Sequence, residues 1–423
     1  MKINKLQEST PNRIPISEHK IDESLICDHA RKIIQKLTQA NYQAYLVGGC
    51  VRDLLLGKHP KDFDVATNAH PEEICDLFEY SRIIGRRFRI VHVYQERNFI
   101  EVSTFRALKN HQHNETTISN GRILRDNTFG TIEEDALRRD FTINSMYYDL
   151  SKQEVLDFCN GIEDIDKKII RMIGDDIEMR YHEDPVRILR ALRFHAKLDL
   201  EIDSSTAKPI PSLKYLLTDI SPSRLFDEAL KFFHSGHAVK CFQVLEKFDL
   251  ISVLFPLTYS AHKRDEQLNN LIYAALENTD KRIKHGKPVN PAFIFSILLW
   301  QSYLHRLEQN QKDGISYSEG AWDAGRSIVL EQSKIINIPK RFSITICEIW
   351  KLQRRFLKKH GFKTLKLLEH QRFRAAYDFM CLRAQAGELD VSECEWWTKI
   401  QAASVEEQKQ MTRYRPKRAK QKS

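Results

Sequence analysis

With 423 residues, 42% hydrophobic content and a net charge of +9, the chain has room for two to four globular domains. Its longest apolar stretch, Ala292 to Trp300, is far too short to cross a bilayer, and no apolar signal core precedes Cys27. Eight cysteines lie far apart without a C-x-x-C pair, which argues against a zinc site and for free thiols in a reducing cytoplasm. The charge is uneven. Lys351 to Arg374 holds nine Lys or Arg against one acid, Glu369, and Arg413 to Ser423 holds six against none. The remainder is therefore net negative, and two basic patches on such a body point to a polyanionic partner. A solvated helix face or a disordered tail is the plain alternative for such runs, and for the tail alone it accounts for the charge equally well.

In chain order, residues 1–30 are expected to form a flexible leader, polar and aperiodic to about residue 21. Helical spacing (Ile26, Ala30, Ile33, Ile34, Leu37) begins at Asp22 and runs to Leu37. From Tyr45 to Thr67 the chain reads YLVGGCVRDLLLGKHPKDFDVAT. An apolar run meets Gly48 and Gly49, a helical segment runs from Val51 to Leu56, and Gly57 supplies a C-terminal cap. A second apolar run carries Asp62 and Asp64, which period-2 alternation places on one face, opposite Phe63 and Val65. Carboxylates are depleted in strands, and two side by side repel unless a cation sits between them. Hard divalent cations take oxygen ligands of this kind together with substrate phosphates. The glycine pair lets backbone N–H groups approach a phosphate at a helix N-terminus, and Arg52 adds a fixed positive charge. Glycine pair, arginine and paired acids in this order suit nucleotidyl or phosphoryl transfer.

A helix beginning at Pro71 and ending at Phe78 follows. Strands are expected at Ser81–Ile84, Arg89–Tyr94 and Phe99–Phe105. Glu101, on the last of these, is either a third metal-holding carboxylate or an edge charge facing water. Leu108 to Gly121 reads as a polar loop. In R-R-D-F-T-I-N, Arg138 to Asn144, adjacent arginines beside an acid suit either a triphosphate or a salt-bridged helix end. Beyond about residue 158 helical patterns dominate. Asp184 before Pro185 reads as an N-cap. It also shares a helix face with Arg187, and an acceptor beside a donor matches the exocyclic amine and ring nitrogen of adenine or of cytosine. The basic stretch 351–374, with Trp350, Phe356 and Phe373 nearby, suits an RNA-backbone surface with some stacking.

The order G-G-x-V-R-D, L-G, D-x-D resembles the nucleotidyltransferase core of the polymerase β superfamily, in the class that holds bacterial poly(A) polymerases and CCA-adding enzymes. The resemblance covers residues 45 to 230. It implies an α+β N-terminal nucleotidyltransferase domain with a mixed sheet, followed by mostly α-helical domains. The expected divisions are a catalytic head at 31–157, a helical neck at 158–235, a helical body at 236–400 and a basic flexible tail at 401–423. It favours Glu101 as the third acid beside Asp62 and Asp64, with two Mg2+ ions. It assigns Arg139, Asp140 and Asn144 to the nucleotide site, Asp140 among the catalytic group. E-D-P-V-R-x-L-R-A-x-R-F is similar to the class's nucleotide-selecting motif, which implies base recognition by Asp184 and Arg187 with Arg190 and Arg193 in support. I-I-G-R-R-F-R-I-V-H-V, residues 83 to 93, is similar to the poly(A) polymerase branch. Arg86 and Arg87 there, and Arg413, Arg415, Lys417 and Arg418 in the tail, are the expected RNA contacts. The activity implied is transfer of AMP from ATP to RNA 3′ ends with release of pyrophosphate. The alternative is CCA addition to tRNA, which uses the same base template.

Overall fold

The computed structural model describes residues 10–85, 89–108, 117–119, 122–125, 128–262 and 266–413. The chain divides into two compact units, one ending at Leu213 and one beginning at Lys214, so the boundary falls inside the segment expected as a neck.

In the first unit, helix α1 (Asp28–Gln39) buries Ala30, Ile33, Ile34 and Leu37 at helical spacing. Strand β1 (Asn12–Pro15) precedes it, and a 3-10 turn at Glu23–Leu25 is capped by the Asp22 side chain. Residues 10–30 therefore differ from the expected leader. Asn12–Pro15 pairs antiparallel with Glu154–Asp157, which satisfies its backbone groups at a sheet edge, and the helix begins at Asp28 rather than Asp22. Then come β2 (Ala44–Val47), α2 (Gly49–Leu55), β3 (Asp64–Thr67), α3 (Pro71–Leu77), β4 (Ser81–Ile84), β5 (Ile90–Gln95) and β6 (Asn98–Thr104). A small hairpin, β7 (Thr117–Ser119) and β8 (Arg122–Arg125), lies outside the main sheet. After α4 (Ile132–Leu137), strands β9 (Tyr147–Asp149) and β10 (Glu154–Asp157) complete it.

Among the described residues, eight strands form one mixed sheet in the order β1-β10-β9-β2-β3-β6-β5-β4. Its pairs are antiparallel except β3 with β6. Val47, Ala66, Phe105, Ala136, Tyr147 and Leu156 make a buried cluster against it. Helices α5 (Gly161–Asp166), α6 (Ile177–Glu183) and α7 (Val186–Leu198) follow, with two shorter ones up to Leu213.

The second unit is helical. Its helices include Glu266–Lys284, Trp300–Lys312, Tyr317–Ser333, Lys340–Phe356, Phe373–Gln385 and Val391–Ala402. The tryptophans anchor its interior. Trp350 stacks on Tyr303 at 4.5 Å and donates its indole N–H to the Ser296 carbonyl at 2.9 Å; Trp397 donates to the Phe356 carbonyl at 2.9 Å. Trp350, Phe356 and Phe373, expected near an RNA surface, are buried instead. The helix that carries the basic residues turns Ile346, Ile349, Trp350, Leu352 and Phe356 inward, because helical periodicity separates aromatic and basic positions onto opposite faces. The thiols expected to be free are not all so. Cys381 and Cys394, on neighbouring helices with Cα atoms 4.9 Å apart, form a disulfide, while Cys27, Cys50, Cys75, Cys159, Cys241 and Cys347 are free. No described helix is long and apolar enough to cross a membrane.

Candidate active site

The parallel pair β3–β6 brings two acids together from positions far apart in the chain. Asp64 is the first residue of β3, and its register partner is Glu101 on β6, so both side chains stand on one sheet face. Asp62 lies in an exposed bend before β3 rather than within the strand. The register of β2 with β3 sets Leu46 against Val65, and β2 ends at the glycine turn, leaving no partner strand for Asp62. On the far side of Glu101, its Oε1 lies 3.6 Å from His92 Nε2. Burial pushes the Asp64 carboxyl up to about 6; Glu101 and Asp62 push the same way and Arg139 opposes them. Among the described residues no three His, Cys, Asp or Glu side chains converge as a ready cage for an ion. The arrangement is an in-register pair with a third acid on its approach. Mutual repulsion and an all-oxygen donor set are what a hard divalent cation would relieve, so the residues fit such a group.

Beside the acids, Gly48 adopts φ +78°, a backbone conformation strained for L side chains. A Cβ built on Gly48 would stand 3.4 Å from Arg139 Nη1, and one on Gly49 3.6 Å from Arg52 Nη2. Two guanidinium groups thus flank a bare turn, a geometry suited to a phosphate chain. Each is held from behind. Arg139 donates from Nε and Nη2 to Asp135 Oδ2 at 3.2 and 2.9 Å, and Tyr147 Oη donates to the same oxygen at 2.7 Å. Asp135 also accepts from Arg138 at 2.8 Å. Burial alone would raise the Asp135 carboxyl, but Arg139 and Arg138 outweigh it and hold it well below the usual carboxylate range. Sequence reasoning missed Asp135, although an acid three and four residues before the arginine pair is a signal that could have found it.

Arg52 is 4% exposed. It donates to Asp53 Oδ1 at 2.6 and 2.9 Å and, from Nη1, to Asn144 Oδ1 at 2.6 Å. Asn144 Nδ2 donates to Asp140 Oδ1 at 3.3 Å, and Arg190 Nε donates to Asp140 Oδ2 at 2.5 Å. The result is a continuous chain, Asp53–Arg52–Asn144–Asp140–Arg190, from α2 to α7. Burial would raise the Asp140 carboxyl; Arg190, Arg187 and Asn144 keep it lowered. Phe194 lies beneath three of the basic groups, with Arg193, Arg52 and Arg190 at 4.7, 5.1 and 5.4 Å from its ring centre.

Asp184 is the C-cap of α6, and its Oδ1 accepts from the Val186 N–H at 3.4 Å; the capping position of α7 passes to Pro185, one residue later than expected. Arg187 donates from Nη1 to the Arg180 carbonyl at 2.7 Å and to Glu183 Oε2 at 3.1 Å. Arg413 is exposed at the end of the described chain. Arg86, Arg87, Arg415, Lys417 and Arg418 lie outside the described residues.

Comparison with known proteins agrees with this geometry. Family models match in three segments: a poly A polymerase head domain over residues 44–171, a probable RNA and SrmB-binding site of polymerase A over 199–261, and a polymerase A arginine-rich C-terminus over 313–423. The chain is 44% identical to poly(A) polymerase I of Salmonella typhi, over 94% of this chain and 87% of that one. It is 37% identical to a CCA-adding enzyme of Lactobacillus helveticus, over 51% of this chain and 52% of that one. In fold it is similar to the Thermotoga maritima CCA-adding enzyme complexed with tRNA, at a TM-score of 0.59 and 18% identity, covering 92% of this chain and 85% of that one. Similarity at this level across nearly the whole length, on a head that carries the paired acids and the glycine turn, means that the chain belongs to the poly(A) polymerase family of nucleotidyltransferases.

Proposed function

We propose that this chain adds AMP from ATP to RNA 3′ ends without a template and releases pyrophosphate. The observation that carries this reading over CCA addition is the extent of similarity: it runs over 94% of the chain for poly(A) polymerase I and 51% for the CCA-adding enzyme.

The site supports the following roles. Asp62, Asp64 and Glu101 would hold two Mg2+ ions, which when bound supply charge neutralisation and a Lewis acid for attack on the α-phosphate. The Gly48–Gly49 turn admits the triphosphate, and Arg139, fixed by Asp135 and Tyr147, supplies positive charge there. Arg52, Asn144, Asp140 and Arg190 act as a buried brace that holds the turn against α7. Arg190 and Arg193 lend charge around Phe194. Asp184 and Arg187 read the base, acceptor to the exocyclic amine and donor to the ring nitrogen. Cytosine offers the same pair, so these two residues separate A and C from G and U and leave the choice of A to their surroundings. Arg86, Arg87, Arg413, Arg415, Lys417 and Arg418 contribute to RNA binding through phosphates.

The test is to incubate the pure protein with Mg2+, a labelled generic RNA and a tRNA lacking its CCA end, offering ATP and CTP separately and together. Long ladders from ATP alone on both RNAs are expected. Growth confined to the tRNA, requiring both nucleotides and stopping after three additions, would move the chain to CCA addition.

A further inference from the structure

The open face of the sheet beside the acids carries more than the chemistry above uses. Register aligns one row of side chains across four strands: Arg82 on β4 opposite His92 on β5, His92 opposite Glu101 on β6, and Glu101 opposite Asp64 on β3. A second row runs beside it, with Tyr94 opposite Phe99. By strand alternation Phe99 shares the face of Glu101, while Ile100 and Val102 turn into the core. Phe99 and Tyr94 remain 45% and 38% exposed. The rings form one assembly: His92 stacks on Phe99 at 4.1 Å with the planes 11° apart, and Tyr94 lies 5.9 Å from Phe99. Cross-strand packing explains why such a pair steadies a hairpin. It does not explain why the rings face outward on the same face as the carboxylates, one residue pair from Glu101, with the exposed Arg82 at the outer end of the row.

We propose that His92, Tyr94 and Phe99 form a stacking platform for the 3′-terminal base of the RNA, which seats its ribose hydroxyl over Glu101 and Asp64. Exposed aromatics on a sheet receive unstacked bases. Residues two apart along a strand stand about 6.6–6.8 Å apart, so a base resting on Phe99 lies one nucleotide's breadth from the acids. Arg82 supplies the cation for the phosphate that precedes it. The inference rests on the polymerase reading for its ligand.

The test uses the full chain and a single-stranded RNA whose 3′ nucleotide is 2-aminopurine, whose fluorescence is quenched by stacking. Binding without ATP should quench the wild type, and Phe99→Leu, which keeps apolar bulk but removes the ring, should lose that quenching. In extension assays Phe99→Leu and Tyr94→Leu should raise the RNA KM by roughly five- to a hundredfold and leave the ATP KM within twofold. An RNA with an abasic 3′ terminus should cost the wild type a similar factor and cost Phe99→Leu nothing further. Phe99→Trp should restore binding. Unchanged quenching and RNA KM in both leucine variants would overturn the proposal. A raised ATP KM with unchanged RNA KM would also overturn it, by making the platform an ATP site. Because quenching is read without ATP, a wild type that stacks the base yet fails to extend it would refute the polymerase reading alone.

Discussion

The two units differ in where they place particular aromatic and charged side chains. In the helical unit Trp350, Trp397 and Tyr303 are fully buried and its basic residues lie on the surface of the same helices. In the head, Tyr94 and Phe99 stand exposed on the sheet while Arg52, Asn144 and Asp140 are buried or nearly so and joined by hydrogen bonds, and Asp135 is buried against Arg138, Arg139 and Tyr147. A core made of rings confers stability; a core made of paired ions fixes positions at a cost in desolvation. Around its site the head thus gives up stability for geometry that a nucleotide can use, although it too buries rings, Phe105, Phe141, Tyr147 and Tyr148, in its core.

Substitutions put this contrast to the test. Asp64→Asn should abolish AMP incorporation, with a loss of roughly a thousandfold or more in kcat, while RNA affinity by filter binding stays near wild type. Retained activity would remove Asp64 from the site. Trp350→Ala should cost about 3–5 kcal/mol in urea unfolding and leave the RNA affinity of the folded fraction unchanged. A selective loss of RNA binding would return Trp350 to the interface.

A finer test concerns the acids without metal. The Asp64 carboxyl titrates at about 6 in the folded chain, against an ordinary value of 3.8. Since its folded value is raised, the charged form penalises folding. The penalty is absent below about pH 4, grows between 4 and 6 and is complete above 6. In EDTA, Asp64→Asn should therefore be about 1–3 kcal/mol more stable than wild type at pH 8, with the gain fading toward pH 4. A variant no more stable at pH 8 would show that burial and the neighbouring acids together do not penalise the charged Asp64. The smallest effect is expected from removing residues 414–423, which carry five Lys or Arg. The slope of log affinity against log salt should fall by about 0.7 for each phosphate that the tail no longer neutralises; an unchanged slope would exclude the tail from RNA binding.

Much of the head is legible in the sequence because its signals are local. The glycine pair, the D-x-D and the strands from Ser81 to Phe105 depend on neighbours within a few residues. What escapes depends on tertiary pairing. The edge strand Asn12–Pro15 finds its partner at Glu154–Asp157, and nothing in those four residues announces it. Asp135 matters through Tyr147 as well as through the arginines. Trp350 and Phe373 sit among basic residues in sequence and apart from them in space. The bond between Cys381 and Cys394 arises because two helices pack side by side, which spacing alone does not reveal.

The parallel pair of the eight-stranded sheet has a further consequence. Parallel neighbours cannot be joined by a tight turn, so the chain leaves β3 at Thr67 and returns at Asn98 by way of α3, β4 and β5. That detour forms the ground around the acids without supplying Asp62, Asp64 or Glu101. Changes in its length or side chains would remodel what lies next to the paired acids while the register of Asp64 with Glu101 persists. The topology thereby separates a fixed pair of acids from a variable surface beside them, and lets the second diversify without re-inventing the first.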